Sequence, residues 1–214
     1  MDTLAGQLCS MKLERDGVRN PQFTEVMDRA TAELKATNIL DGVPGVGDRT
    51  IDFALPNLEG ESIRLSSLLT KGPAVVSFFR GRWGPYCRLE QVALQRLLPE
   101  ITSRGAAVVT LSPQLPEYSI AWRDEDGISF DVLTDLGNEV ARNFGLTFQL
   151  PDDLREVYLN GLGLDLSLMN GDESWELAIP ATFVINMAGT ITYASADPDY
   201  TKRPEPIAVL AAID

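Results

Sequence analysis

Apolar positions near the start of the chain recur every three or four residues. Leu4, Leu8 and Met11 fall on one such stripe, and Phe23, Val26, Met27, Ala30 and Leu34 on a second. Between them stands Asn20-Pro21, a side chain able to cap a free N–H followed by a residue that has no N–H to cap. Two helices are therefore predicted up to about Asn38. The Gly- and Pro-rich run from Asp41 to Asp48 ends this periodicity and divides the chain into a helical extension, 1–42, and a main domain, 43–214.

Within the main domain short apolar runs alternate with helical stripes. "IDFAL" and "SIRLS" flank the turn "NLEGE", and "PAVVSFF" is a continuous apolar run of strand length. After Cys87, a stripe of Leu89, Val92, Ala93, Leu97 and Leu98 predicts a helix, followed by a strand at "AAVVTLS". A helix around "PEYSIAWRDEDG", a strand near "SFDVL" and a helix at "DLGNEVARNFG" come next. "PATFVIN" and "TITYAS" then flank Gly189, and a helix from about Pro204 closes the chain. This alternation predicts an α/β architecture with parallel crossovers. The segment from Pro151 to Pro180 has no clear period and reads either as a flap over a site or as an ordered surface insertion.

Composition narrows the chemistry. With 44% hydrophobic residues in 214, the chain can bury a core without disulfide staples or structural metal. A net charge of −13 opposes binding to phosphate backbones or anionic membranes, so neither nucleic acid nor membrane is a predicted partner. No apolar run approaches the roughly 20 residues a bilayer requires, and "MDTLAG" lacks the basic and apolar regions of an export signal. Together with only two cysteines, Cys9 and Cys87, this predicts a reducing, cytoplasmic setting. The chain has no histidine, which removes Ser-His-Asp and Cys-His relays and argues against common zinc, haem and two-His iron sites. Phosphate-cradling glycine motifs and spaced Asp/Glu constellations are also missing from the sequence, so no cofactor and no metal is predicted. Cys87 is the best remaining candidate for chemistry.

Its setting is informative. Gly81, Gly84 and Pro85 force a turn after "PAVVSFF", and Pro85 suits the first helical position, which places Cys87 in the first turn of a helix. Unpaired amides and the positive end of the helix dipole favour an anion there, and a thiolate is such an anion. Arg80, Arg82 and Arg88 lie close by in sequence and act in the same direction. The alternative is a small buried hydrophobe at a helix start.

The stretches "GDRTIDFALPNLEGESIRLSSLL" and "FFRGRWGPYCRLEQVALQ", with "LSPQ", "IPATFVINMAGTITYA" and "DPDYTKRPEP" further on, resemble the alkyl hydroperoxide reductase and thiol-specific antioxidant family, the peroxiredoxins. Within it they are similar to a branch carrying Arg-Gly-x-Trp-Cys-Pro-Tyr-Cys, from about Val43 to the C-terminus, and the N-terminal helices also look like that branch. The resemblance implies a thioredoxin-like fold, a central mixed sheet flanked by helices. It also implies a peroxidatic cysteine that reduces hydrogen peroxide or an alkyl hydroperoxide, a thiol reductant such as thioredoxin or glutathione, and a homodimer. Laying the family's Pro-x-x-x-Thr-x-x-Cys on the chain puts Arg80 at the Pro position, Gly84 at the Thr position and Cys87 at the nucleophile, and Glu90 matches a Cys-x-x-Glu.

The departures are equally specific. Gly84 stands where the branch has a second cysteine, so no Cys-x-x-Cys disulfide can form. The family's Thr hydroxyl and a later Arg are replaced by Gly84 and Pro180, leaving Arg80 as the substitute cationic donor. Pro180 resembles the cis-proline that thioredoxin-fold proteins place opposite the cysteine, which would present the backbone of Ile179 to the site. The implied pocket comprises Trp83, Gly84, Pro85, Glu90, Ile179, Pro180 and Thr182, with Trp83 either flanking the pocket or packing on the strand. Cys9, off the Leu4/Leu8/Met11 stripe, reads either as a resolving partner or as incidental. The departures also leave open a thioredoxin-fold binding or redox-sensing module without turnover, or a fold recruited to small-molecule biosynthesis.

Overall fold

The computed structural model describes residues 3–213, so Met1, Asp2 and Asp214 at the ends of the two predicted domains lie outside the described residues. Helix α1 (Leu4–Val18) starts where the Thr3 hydroxyl accepts the Gly6 N–H. Helix α2 (Pro21–Ala36) starts where the Asn20 side chain accepts the Gln22 N–H and Pro21 takes the first position, as its dipeptide predicts. Neither helix stands apart. Leu4 and Leu8 pack on Tyr86, and Met27 and Ala30 join a cluster with Leu154, Val157 and Tyr158. The Leu4 and Ala5 amides donate to the Glu205 carboxylate at 3.1 and 2.7 Å, fastening the two ends of the chain together.

The "NLEGE" turn closes an antiparallel hairpin of β1 (Ala54–Pro56) and β2 (Ser62–Arg64). Helix α3 (Leu65–Leu69) has no counterpart in the predicted pattern, because five residues carry little more than one turn of periodicity. The main sheet begins with β3 (Ala74–Phe78), followed by α4 (Pro85–Ser103), β4 (Ala107–Ser112), α5 (Pro116–Asp126) and β5 (Asp131–Thr134). β3, β4 and β5 run parallel, as the crossovers predict. Helix α6 (Glu139–Asn143) leads to β6 (Thr147–Gln149). The segment without clear period then folds into α7 (Asp152–Glu156), a π-helical turn over Val157–Gly161, α8 (Leu166–Asn170) and β7 (Glu176–Ala178), which pairs antiparallel with β6. Strands β8 (Ala181–Ile185) and β9 (Ile191–Ala196) complete the sheet in the order β5-β4-β3-β8-β9, with β8 antiparallel to both neighbours, and α9 (Pro206–Ala211) closes the chain. The sheet is therefore mixed and the fold thioredoxin-like.

β3 is buried along its whole length because both faces of the sheet are covered. Ala74, Val76 and Phe78 face one core, where Phe78, Phe144 and Phe183 meet with centroids 5.0 to 6.1 Å apart. Val75 and Phe79 face the other, under α4 and α5. Ser77, fully buried and paired across the sheet with Thr182, gives the α4 side a polar strip. One sequence expectation fails: the Ile179–Pro180 bond is trans, not cis. Two residues separate β7 from β8, and the Ile179 N–H donates to the Leu146 carbonyl at 2.7 Å, with the ordinary trans geometry at the bond that follows.

Candidate active site

The turn between β3 and α4 is shaped by two glycines. Gly81 has φ of 133°, and a Cβ there would lie 2.5 Å from the Gln114 side-chain oxygen, which instead accepts the Arg82 N–H. Gly84 is the N-cap of α4 and Pro85 its first residue, so Cys87 sits in the first turn as predicted. A glycine N-cap offers no side-chain acceptor to the first-turn amides. The Cys87 side chain points inward, and the residue is only 2% exposed.

The cation at the sulfur comes from far away in sequence. Arg203, in the loop before α9, donates from Nη2 to Cys87 Sγ at 3.3 Å. Its other nitrogens are occupied too. Nε forms an ion pair with Glu90 Oε2 at 2.7 Å, and Nη1 donates to the carbonyls of Tyr200 and Lys202. Glu90 Oε1 accepts from Thr182 Oγ1 at 3.2 Å, and Thr182 reaches Ser77 Oγ at 3.2 Å. A buried chain thus runs from Ser77 through Thr182, Glu90 and Arg203 to the sulfur. Burial pushes the Glu90 carboxyl above its usual range, with Arg203 and Thr182 opposing it. Burial pulls the Arg203 guanidinium down, but the adjacent Cys87 and Glu90 outweigh it and hold it up.

The sequence-predicted residues separate into three groups. Trp83, Gly84 and Pro85 line a cavity of about 40 Å³ over Cys87, with Tyr158, Leu162 and Arg203 among the other walls. Trp83 both flanks this pocket and packs edge-on against Tyr158, centroids 5.6 Å apart, and its indole N–H is buried without a partner among the described residues. Glu90 and Thr182 lie one layer deeper, acting on the sulfur through Arg203. Ile179 is buried in the main core and Pro180 beside it, and neither lines the Cys87 cavity.

Arg80 lines the cavity, but Arg203 holds the hydrogen-bonding position at the sulfur. Arg80 Nε donates to the Ala178 carbonyl at 3.2 Å, and its guanidinium lies against the rings of Phe148 and Tyr200 at 5.1 and 5.3 Å. Arg82 and Arg88 are both exposed, and Arg88 holds Asp126 through two bonds of 2.6 Å, so proximity in sequence overstated their role. Cys9 is exposed on α1, and both cysteines are free thiols.

Two groups were missed by sequence reasoning. Arg203 lies in "DPDYTKRPEP", a stretch noted for its resemblance to relatives but with no periodicity to say where its side chains point. Tyr158 enters the wall on the π-helical turn, where the Leu162 N–H donates to the Val157 carbonyl at 2.9 Å, a register that a 3.6-residue pattern does not capture. The segment without clear period therefore walls the site.

Comparison with known proteins identifies the family. The profile of the AhpC/TSA family matches residues 46–194. The chain is 32% identical over 101 residues to the thiol-disulfide oxidoreductase ResA of Halalkalibacterium halodurans, covering 47% of this chain and 56% of that protein. It is 29% identical over 99 residues to a Mycobacterium tuberculosis protein that carries the peroxiredoxin name, covering 46% and 62%. The chain thus spans under two thirds of the length of these relatives. Among solved structures it is similar to the peroxidoxin BcpB of M. tuberculosis, with TM-score 0.61, 22% identity and coverage of 78% of this chain and 95% of that one. It is also similar to the bacterioferritin comigratory protein of Xanthomonas campestris, with TM-score 0.59, 18% identity and coverage of 79% and 96%. With the family profile matched over more than half its length, and a cysteine at the start of the helix after the first core strand, this chain belongs to the AhpC/TSA family.

Proposed function

We propose that this chain is a thiol-dependent peroxidase with Cys87 as its one reacting residue. The observation that carries the reading is the Arg203–Cys87 contact, a buried guanidinium on the sulfur beneath a cavity. The cavity of about 40 Å³ opens directly over the sulfur. The Cys87 thiolate attacks the terminal oxygen of the hydroperoxide, an S–O bond forms, the O–O bond breaks, and the alkoxide leaves as alcohol after taking a proton from solvent. Arg203 holds the anion before attack, and the unpaired Trp83 N–H is a donor available to a peroxide oxygen. The sulfenic acid is then reduced by two equivalents of thiol, which leave as a disulfide with release of water. Gly84 removes the in-turn partner for a dithiol cycle, so thiol-disulfide exchange of the Cys-x-x-Cys kind is not proposed, despite the oxidoreductase relatives.

Glutathione, thioredoxin or Cys9, which is exposed on α1, supplies the reducing thiol, and Cys9→Ser tests the last of these: turnover retained in that variant assigns the step to an external thiol. A cytoplasmic setting fits two free cysteines; among the described residues no helix is long and apolar enough to cross a membrane. A homodimer rests on family resemblance alone, because the stripes of α1 and α2 are used within the chain; light scattering reads it. A second reading, a redox-responsive binding module, is favoured by the 2% exposure of Cys87. Peroxide consumption with a thiol donor, together with dimedone labelling, decides between them. The peroxidase reading expects turnover and labelling at Cys87, both lost in Cys87→Ser. Absence of both in the wild type would leave the binding module.

A further inference from the structure

Beside the Cys87 pocket, and sharing with it the walls Met27, Arg80, Tyr158 and Tyr200, lies a larger cavity of about 240 Å³. Its inner wall is apolar, with Met27, Ala30, Leu154 and Tyr158 all buried, whereas Glu33, Thr37 and Gln149 are exposed and mark the solvent side. One charge sits on the inner wall, the guanidinium of Arg80, a residue 5% exposed. Among the described residues no carboxylate forms an ion pair with it, and its contacts include the Ala178 carbonyl and the rings of Phe148 and Tyr200. Glu33, at the outer edge, is turned to Arg29 at 4.0 Å. A buried cation without a carboxylate is costly, and here it is offset by two aromatic faces, one carbonyl and the Tyr158 hydroxyl.

We propose that this second cavity binds a small organic carboxylate, its anionic head on Arg80 and its apolar body against Met27, Ala30 and Leu154. By a share of about 30 Å³ per water in liquid, the volume corresponds to about eight waters, the scale of a short-chain or single-ring acid. The site is independent of sulfur chemistry and stands whether or not Cys87 turns over peroxide.

Calorimetric titration of the full chain with octanoate, and with 1-octanol as the uncharged counterpart, tests it. Octanoate is expected to bind at least tenfold more tightly than octanol, and binding is expected to persist in Cys87→Ser. Arg80→Met, which keeps the length of the side chain, should erase the preference for the acid. Ala30→Phe, which leaves Arg80 in place and fills the cavity, should abolish binding of both. Circular dichroism establishes that each variant is folded, and the wild-type comparison needs no variant. Equal binding of acid and alcohol by the wild type overturns the proposal, as does a preference that survives Arg80→Met or disappears only in Arg203→Met.

Discussion

Arg203 shows how one side chain can do two jobs. It holds the Cys87 sulfur and neutralises a carboxylate that is itself buried. Replacing it by Met removes a fixed donor from the Cys87 sulfur, and under the proposed peroxidase reading turnover should fall on the order of 10²–10³. It also leaves Glu90 buried and unpaired, worth about 3–5 kcal/mol of stability. These losses are separable. In Arg203→Met with Glu90→Gln, denaturant titration should recover most of the stability, while peroxide turnover stays as low as in the single variant. Gly84 gives a second test at this scale. Its φ of −83° suits any residue, and a Cβ there would lie 3.3 Å from Cys87 Sγ. Gly84→Cys is therefore expected to close a disulfide with Cys87 under mild oxidation. Intact mass should fall by two hydrogens, and peroxide turnover should become dependent on a dithiol reductant. Two unchanged free thiols after oxidation would contradict the geometry.

Among the elements, the strands and longer helices were legible where their period was long or their apolar run continuous. β3 and α4 fix the position of Cys87, and that position followed from Gly84-Pro85 alone. The π-helical turn and α3 were illegible because their length is close to a single turn. The trans bond at Pro180 defeated an expectation borrowed from other thioredoxin folds. Arg203 was illegible for a different reason, since a contact across 116 residues is decided by tertiary packing and not by local pattern. The loop that delivers Arg203 is ordered by Asp199. The Asp199 carboxylate accepts from Thr201 and from Lys35 of α2. Burial raises its pKa, but these bonds outweigh it and hold it below the usual 3.8. A depressed carboxyl stabilises the fold above its unfolded pKa and ceases to do so as pH falls through the folded one. Protection of residues 199–203 from hydrogen exchange, taken relative to the intrinsic rate at each pH, should therefore fall below about pH 4, and Asp199→Asn should show the lower protection already at neutral pH.

For the molecule as a whole, the helices before residue 42 pack on the residues after it. Leu4, Leu8 and Met27 are buried against the main domain, each worth roughly 1.5–3 kcal/mol. Their sum is a large part of the roughly 5–15 kcal/mol that a whole domain has available. A chain of residues 43–214 should consequently unfold well below the full chain in a thermal scan and show Cys87 open to iodoacetamide. A truncated chain as stable as the parent would show that the extension is an ornament to the fold.

The late position of Arg203 has a consequence for biosynthesis. A ribosome completes the sheet strand at Ile191–Ala196 before it emits the arginine that serves the sulfur. A nascent polypeptide, or one nicked by a protease ahead of residue 203, holds Cys87 in a helix start that lacks its counter-cation. If Cys87 reacts as proposed, that reactivity waits on residue 203, after every strand of the sheet has been made.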